Sequence, residues 1–359
     1  MAKSVGLVPI PNREQPDEQA TTFPEGRARW VLAAALLAVF VGSLDLTVIA
    51  TLLPKIVSDL QINTADINRY VWVVSAYLLA YMVTIPVLGR VSDILGRRPA
   101  FAAALVIFLA GSILSARAGG LGSLIAGRAV QGFGGGALVP VTMALVGDLL
   151  PPRRRAAVIG LVGAIDTMGW VLGPLYGAAL LGLTGSWRVI FWINVPITII
   201  TVLVLLFTWR GVRQQRIRER LDLAGAALLS ASLVCLNLAL SSGSEAGAGN
   251  GQLGGSANPL AAYRWPLLGG ALVAFIGFIL WERRAKAPLI PLSLFRLPVF
   301  SAATVANLLI GASLIVVMVD VPLFASLVEE NPERASLIGA ALLLPFTFMM
   351  AVGSVLGGI

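Results

Sequence analysis

"GLVGAIDTMGWVLGPLYGAALLG", Gly160 to Gly182, is apolar and long enough to cross a bilayer as one helix. It nevertheless holds Asp166, Pro174 and six glycines. Asp166, Gly169, Gly173 and Gly177 follow one another at helical spacing, so they share one stripe of that helix. A glycine stripe lets a second backbone come close, which is how helices associate in lipid without a hydrophobic drive. For the glycines alone, ordinary small-residue packing and a sliding seam read equally well. Pro174 removes one backbone hydrogen bond and bends the helix. Asp166 differs in kind, because a charge in a span is costly and marks a pathway by default.

The rest of the chain is of the same character. Its 359 residues are 57% hydrophobic and 12% charged, against about 25% charged in a soluble domain, and the mean hydropathy is +0.88. The apolar residues gather in ten runs of span length: 30–53, 68–88, 100–117, 121–147, 156–182, 187–209, 222–242, 264–281, 299–325 and 335–357. The fold class is therefore an all-α polytopic membrane protein. With no histidine, His-based catalysis, His-ligated metal and His proton relays are excluded. Cys235 is the only cysteine, so there is neither an internal disulfide nor a thiolate metal site. No cofactor or metal is implied.

The net charge of +8 points to membrane topology rather than nucleic acid, because Lys and Arg sit in short segments between the apolar runs. With the N-terminus inside, 19 of the 26 basic residues lie inside, six lie outside and Arg128 falls within a span. Tryptophans 30, 72, 187, 209, 265 and 281 lie near span ends, as an interfacial belt requires. Cysteines introduced at Gly249 and Gln214 are expected to label from opposite sides of the membrane; labelling from the same side would sink this topology.

The segmentation follows from the same pattern. Residues 1–29 read as a polar, disordered cytoplasmic tail, without the apolar core and cleavage site of a signal peptide. Residues 30–210 read as a six-helix bundle, ending at a run of five arginines between 210 and 220. Residues 211–298 comprise that basic loop and two extra spans, joined by the low-complexity Ser242–Asn258 stretch. Pro54 and Gly89 are 35 residues apart, as are Pro322 and Gly357. On that spacing, residues 299–359 are the first two spans of an incomplete second bundle.

"GRVSDILGRRP", Gly89 to Pro99, reads as an inside loop between spans two and three. Gly89 and Gly96 permit tight turning. Asp93 offers a carboxylate that caps a helix or pairs with arginine, and Arg97 and Arg98 stay at the anionic inner surface. A basic hairpin with snorkelling arginines would look similar. The full spacing Gly89, Arg90, Asp93, Gly96, Arg97, Arg98 instead resembles the signature loop of the major facilitator superfamily. Three further segments resemble that family: "LDLTVIATLLPKI" (Leu44–Ile56), its first-helix motif in fourteen-span drug:proton antiporters; "GRAVQGFGGGALVP" (Gly127–Pro140), its fourth-helix Arg–Gln–Gly motif; and "GWVLGPLYGA" (Gly169–Ala178), its fifth-helix antiporter motif. "LGPLYG", "FWINVP" and "VDVPLF" resemble the mycobacterial exporters of drugs and triacylglycerides. The last four spans of that subfamily are not in this sequence, so it looks truncated.

The resemblance implies a major facilitator fold and proton-coupled efflux of lipophilic drugs or lipids across the cytoplasmic membrane by alternating access. Its partners would be the substrate, protons and membrane lipids, with no nucleic acid. It implies an inner gate at 89–98 and an antiporter motif at Gly169, Gly173, Pro174 and Gly177. Proton coupling would rest on Asp45, Arg128 and Asp166, although the family motif does not require Asp166. Gln131, Trp170, Tyr77 and Tyr81 are candidates for the substrate cavity. Arg128 cannot shed its proton and needs a carboxylate partner. Counted from the inner ends of their spans, Asp45 lies about 22 Å deep, Arg128 about 28 Å and Asp166 about 15 Å, so Asp45 is the better match. Asp320 lies near the outer end of its span. An intramembrane aspartyl enzyme is disfavoured because Asp148, in "LVGDLLPPRRR", sits at the interface. "QGFGGGA" has no preceding strand to make it a nucleotide loop. A non-transporting fragment or regulatory membrane subunit is the alternative.

Overall fold

The computed structural model describes residues 25–61, 72–208, 221–248 and 261–329, and scattered positions beyond 337. The expected tail up to Pro24, the arginine-rich 209–220 segment, most of the 243–263 loop and part of span ten lie outside the described residues. Among the described residues the regular structure is entirely helical. In chain order the helices are α1 (Glu25–Asp59), α2 (Trp72–Leu95), α3 (Arg97–Ala116), α4 (Leu121–Gly135), α5 (Leu138–Leu149), α6 (Pro152–Thr184), α7 (Arg188–Thr208), α8 (Leu223–Ala248), α9 (Arg264–Glu282) and α10 (Pro298–Val328). Short 3-10 turns precede α9 and α10. Eight spans among the described residues are long and apolar enough to cross a membrane, with α4 and α5 counted as one. They match the first eight runs in the sequence.

Two boundaries differ from expectation. The first helix starts at Glu25, inside the stretch read as tail. Span four is broken at Gly136–Ala137. Pro140 has no N–H to offer the Gly136 carbonyl, so the ladder fails there and restarts as α5. At the other end of α6, Gly185 takes φ +66, the left-handed cap that lets the chain turn into α7.

The bundle is layered along its axis. α1 packs along α6, α3 along α4, α2 against α4 and α3 against α7. Toward the end that carries Gly96, here the motif end, Val31, Ala35, Val39, Phe101, Leu138 and Val146 lie in one apolar cluster. Toward the opposite end, Ile49, Leu52, Val73, Leu124, Trp187 and Phe191 lie in another. Trp187 is fully buried there, with the Arg188 guanidinium 4.3 Å from its ring centroid, rather than forming part of an interfacial belt. Trp30 and Trp265 are exposed, as a belt requires. α8 and α9 pair with each other, and α8 lies on α2. Polar side chains collect between the two apolar clusters, and they form the candidate site.

Candidate functional site

Asp45 and Arg128 meet in that middle layer, both fully buried. Arg128 Nη1 donates to Asp45 Oδ2 and also to Gln131 Oε1 at 2.8 Å. Arg128 Nη2 donates to the Asp45 carbonyl at 3.2 Å, and Nε to the Val73 carbonyl at 3.4 Å. The Tyr77 ring lies under the guanidinium, 4.0 Å from centroid to Cζ, and the Tyr77 hydroxyl donates to the Gly42 carbonyl at 3.2 Å. Asn194 of α7 donates Nδ2–H to Asp45 Oδ1 at 2.7 Å. Each carboxylate oxygen therefore has a donor, and the guanidinium is held by α1, α2 and α4 together. A buried charge pair is tolerable only with this degree of satisfaction.

Small residues allow the approach. A Cβ at Gly132 or Gly136 would run into the backbone carbonyl of Tyr77 or Tyr81, so α2 and α4 touch along their backbones. Gln131 passes its amide to Ser112 Oγ at 2.9 Å, and Ser112 donates to the Phe108 carbonyl at 2.9 Å. Gln131 and Tyr77 were expected at a substrate cavity. Both are instead completely buried as supports of Arg128, because a guanidinium with five donors recruits every nearby acceptor and ring. Tyr81, stacked on Tyr77 at 6.0 Å, and Trp170 are only partly buried.

The stripe read from Gly160–Gly182 faces α1. A Cβ at Gly169 would lie 2.5 Å from Ser43 Cβ, and one at Gly177 would lie 2.6 Å from Thr51 Oγ1. At Gly173 the intruder would be the Thr47 hydroxyl, with the Leu44 carbonyl at 2.8 Å. That hydroxyl donates to the Trp170 carbonyl at 2.8 Å. Trp170 is four residues before Pro174, so this is the carbonyl that the proline leaves without a helical donor. Thr47 supplies the missing donor, and the absent side chain at Gly173 makes room for it. Facing the same stripe, Ser43 donates to Asp166 Oδ1 at 2.5 Å, with the Val39 carbonyl 2.8 Å from the same hydroxyl as the alternative acceptor of its single proton. Ser43, which donates to Asp166, lies two residues before Asp45 on α1, so the same turn of α1 carries one carboxylate and holds the other.

The 89–98 segment is not a loop. α2 continues to Leu95, α3 begins at Arg97, and Gly96 alone, at φ 98, makes the reversal. Gly89 is mid-helix, where a Cβ would meet nothing within 4 Å, and it makes no turn. Asp93 does not cap α3; it pairs with Arg97, while Arg90 Nη1 lies 3.8 Å from it. Arg97 also donates to Ser92 Oγ at 2.7 Å and bridges to Asp148 Oδ2 at 3.2 Å. The cluster thus joins the ends of α2 and α5 to the start of α3. Asp148 is spent in this ion pair. Arg98 adjoins the cluster on α3, and Asp320 is exposed on α10, away from the central pair. Among the described residues, no group of His, Cys, Asp and Glu is assembled as metal ligands are.

Asn194, Ser43 and Thr47 were not singled out in the sequence. Asn194 carried a signal, being an amide within a helix of mean hydropathy 2.6.

A profile described as the Major Facilitator Superfamily matches residues 35–359. The probable triacylglyceride transporter of Mycobacterium bovis (strain BCG / Pasteur 1173P2) is 38% identical over 333 residues, covering 92% of this chain and 62% of that protein. Multidrug resistance protein 3 of Bacillus subtilis (strain 168) is 32% identical over 345 residues, covering 94% of this chain and 62% of that protein. The chain thus spans 62% of the length of each of these two curated relatives. In fold it is similar to the xylose transporter XylE from E. coli in a partially occluded inward-open conformation, with TM-score 0.52 and 14% identity, covering 93% of this chain and 83% of that one.

Proposed function

This chain belongs to the major facilitator superfamily, and on that premise we propose that it exports lipophilic small molecules or lipids in exchange for protons. It is a multi-pass membrane protein of a transporter family. The finer reading places it among the fourteen-span antiporters, in the cytoplasmic membrane with its N-terminus and motif end inside. The observation that carries it is the buried Asp45–Arg128 pair between two apolar clusters, in a chain with no histidine. The names of the two curated relatives, a triacylglyceride transporter and a multidrug resistance protein, support a lipophilic substrate.

Asp45 is tolerable as an anion only while Arg128 and Asn194 donate to it. When alternation draws α1 away from α4, the isolated carboxylate takes a proton rather than staying charged in a dry site. Asp166, beside the α1–α6 seam, is the next carboxylate toward the motif end and would pass the proton inward. One proton falling through about 100 mV supplies roughly 2.3 kcal/mol, enough for accumulation of some tens-fold. Uptake of a fluorescent lipophilic cation into inverted vesicles, with and without an imposed pH gradient, tests this. Uptake that ignores the gradient would remove the coupling.

The motif-end ion cluster is the gate in this reading. Asp93→Asn removes the charge that holds Arg97 and Arg90, far from the central layer. Turnover is expected to fall about tenfold, a barrier change of about 1.4 kcal/mol, with substrate affinity nearly unchanged. Weakened equilibrium binding with intact turnover would show that the gate has been misplaced.

A further inference from the structure

Two arginines at the end of the bundle opposite the motif end have no part in the scheme above. Arg117 caps α3 and Arg188 opens α7. The Arg117 guanidinium reaches across the α3–α7 seam to the Trp192 ring, 5.8 Å from its centroid. Arg188 reaches back the other way, where its Nη2 donates to the Ala118 carbonyl at 2.9 Å. Ala118 directly follows Arg117, and Trp192 is one turn beyond Arg188, so the two charges gather at one place on the seam.

Like charges gathered in this way call for an anion. Among the described residues no carboxylate answers them. At this end of the six-helix bundle Asp59 is the described acidic residue, and Lys55 holds it at 2.8 Å. The end of α3 and the start of α7 carry opposite half-charges and offset each other, which leaves the guanidiniums as the net charge. Their donors are free as well: among the described residues Arg117 donates to no group, and Arg188 only to Ala118. Toward the middle layer the same two faces are apolar and open. Leu114 and Val106 continue the face of Arg117 along α3, and Ile199 and Leu203 continue that of Trp192 along α7, all of them exposed.

We propose that Arg117 and Arg188 hold the phosphate of an anionic phospholipid, with an acyl chain lying along the exposed faces of α3 and α7. Guanidinium forks match phosphate oxygens two at a time. Trp192 lies near the start of its span, where an indole bridges headgroup and hydrocarbon. Net charge selects the class. A phosphatidylglycerol headgroup brings one negative charge, whereas choline would bring a third cation to a place that already has two. The bound lipid clasps the α3–α7 seam from outside. Neither the site nor its test depends on what the chain transports.

Native mass spectrometry of the full chain, released from nanodiscs of mixed phosphatidylglycerol and phosphatidylcholine, reads the retained lipid. The native chain is expected to retain phosphatidylglycerol in preference. A basic side chain at an anionic lipid surface is worth about fivefold in binding, so Arg117→Gln and Arg188→Gln should each cut that preference about fivefold. The double variant should lose it altogether. Arg264 lies over Trp265, 5.7 Å from the ring centroid, on its own helix and without a second arginine reaching it, so Arg264→Gln should change nothing. An equal loss in Arg264→Gln would make the effect one of interfacial charge in general, and the site would fall. An unchanged preference in Arg117→Gln overturns it too. Should Arg188→Gln fail to fold, Arg117→Glu decides: Arg117 is exposed and donates to no protein group, and the reversed charge should turn the preference toward phosphatidylcholine. Inorganic phosphate is the other source of the same anion. Added to the detergent-solubilised chain it is expected to leave Tm unchanged while phosphatidylglycerol raises it; an equal rise with phosphate alone would make the occupant a free anion and overturn the lipid.

Discussion

Asp45→Asn is expected to reduce pH-driven export to background while leaving binding of a neutral substrate measurable. The substitution changes one atom and keeps the shape, so it isolates the charge. In the native chain Asp45 Oδ1 and Oδ2 both accept, from Asn194 and Arg128. The introduced amide accepts on one side only and turns an N–H toward a second donor on the other. Arg128 is then left fully buried without a counter-charge, a loss of about 3–5 kcal/mol by the usual cost of breaking a buried pair. A drop in thermal stability should therefore accompany the loss of coupling. The two effects separate in Asp45→Glu, which keeps a titrating carboxylate and should retain part of the pH response even if packing suffers. Export by Asp45→Asn against a gradient, driven by pH alone, would show that Asp45 is not the carrier and move the test to Asp166.

That pair was legible in the sequence for a simple reason. A helix rises by a fixed amount per residue, so depth along a span can be counted, and only Asp45 matched Arg128 closely. The seam was legible too, since glycine spacing on one stripe fixes which face meets a neighbour. What the glycines could not reveal was which neighbour, or that Thr47 completes Pro174. A threonine in an apolar run costs little and gives no hydropathy signal. Gly89–Arg98 was misread because glycine marks possible turns, and only Gly96 takes a backbone conformation that L side chains avoid. Gly89 keeps its helical hydrogen bonding, so Arg90 and Asp93 ride on α2. Gln131 and Tyr77 sat on the right face but behind the wrong surface. Sequence assigns a face to a residue and leaves open whether that face meets a cavity or a guanidinium.

The seam itself gives the second large effect. Gly173→Ala places a methyl group where the Thr47 hydroxyl now lies, against the Leu44 carbonyl. Either α1 and α6 separate, or Thr47 rotates away and abandons the Trp170 carbonyl. Overpacking costs about 1–3 kcal/mol, and a buried carbonyl left without its donor costs about 1–3 kcal/mol more. A single added methyl is therefore expected to lower thermal stability markedly and, on the proposed function, to reduce export at least about tenfold, since the glycine stripe of α6 would no longer fit α1. Thr47→Ala alone removes the donor and leaves no clash, so it should be milder. Combining the two should cost less than the sum of the singles but more than Thr47→Ala by itself, because the hydroxyl no longer obstructs the methyl while the Leu44 carbonyl, 2.8 Å away, still does. The coupling is the informative quantity. Losses that simply add, measured as thermal stability and as export rate, would mean that Gly173 and Thr47 do not share the same space, and that Pro174 finds its missing donor elsewhere.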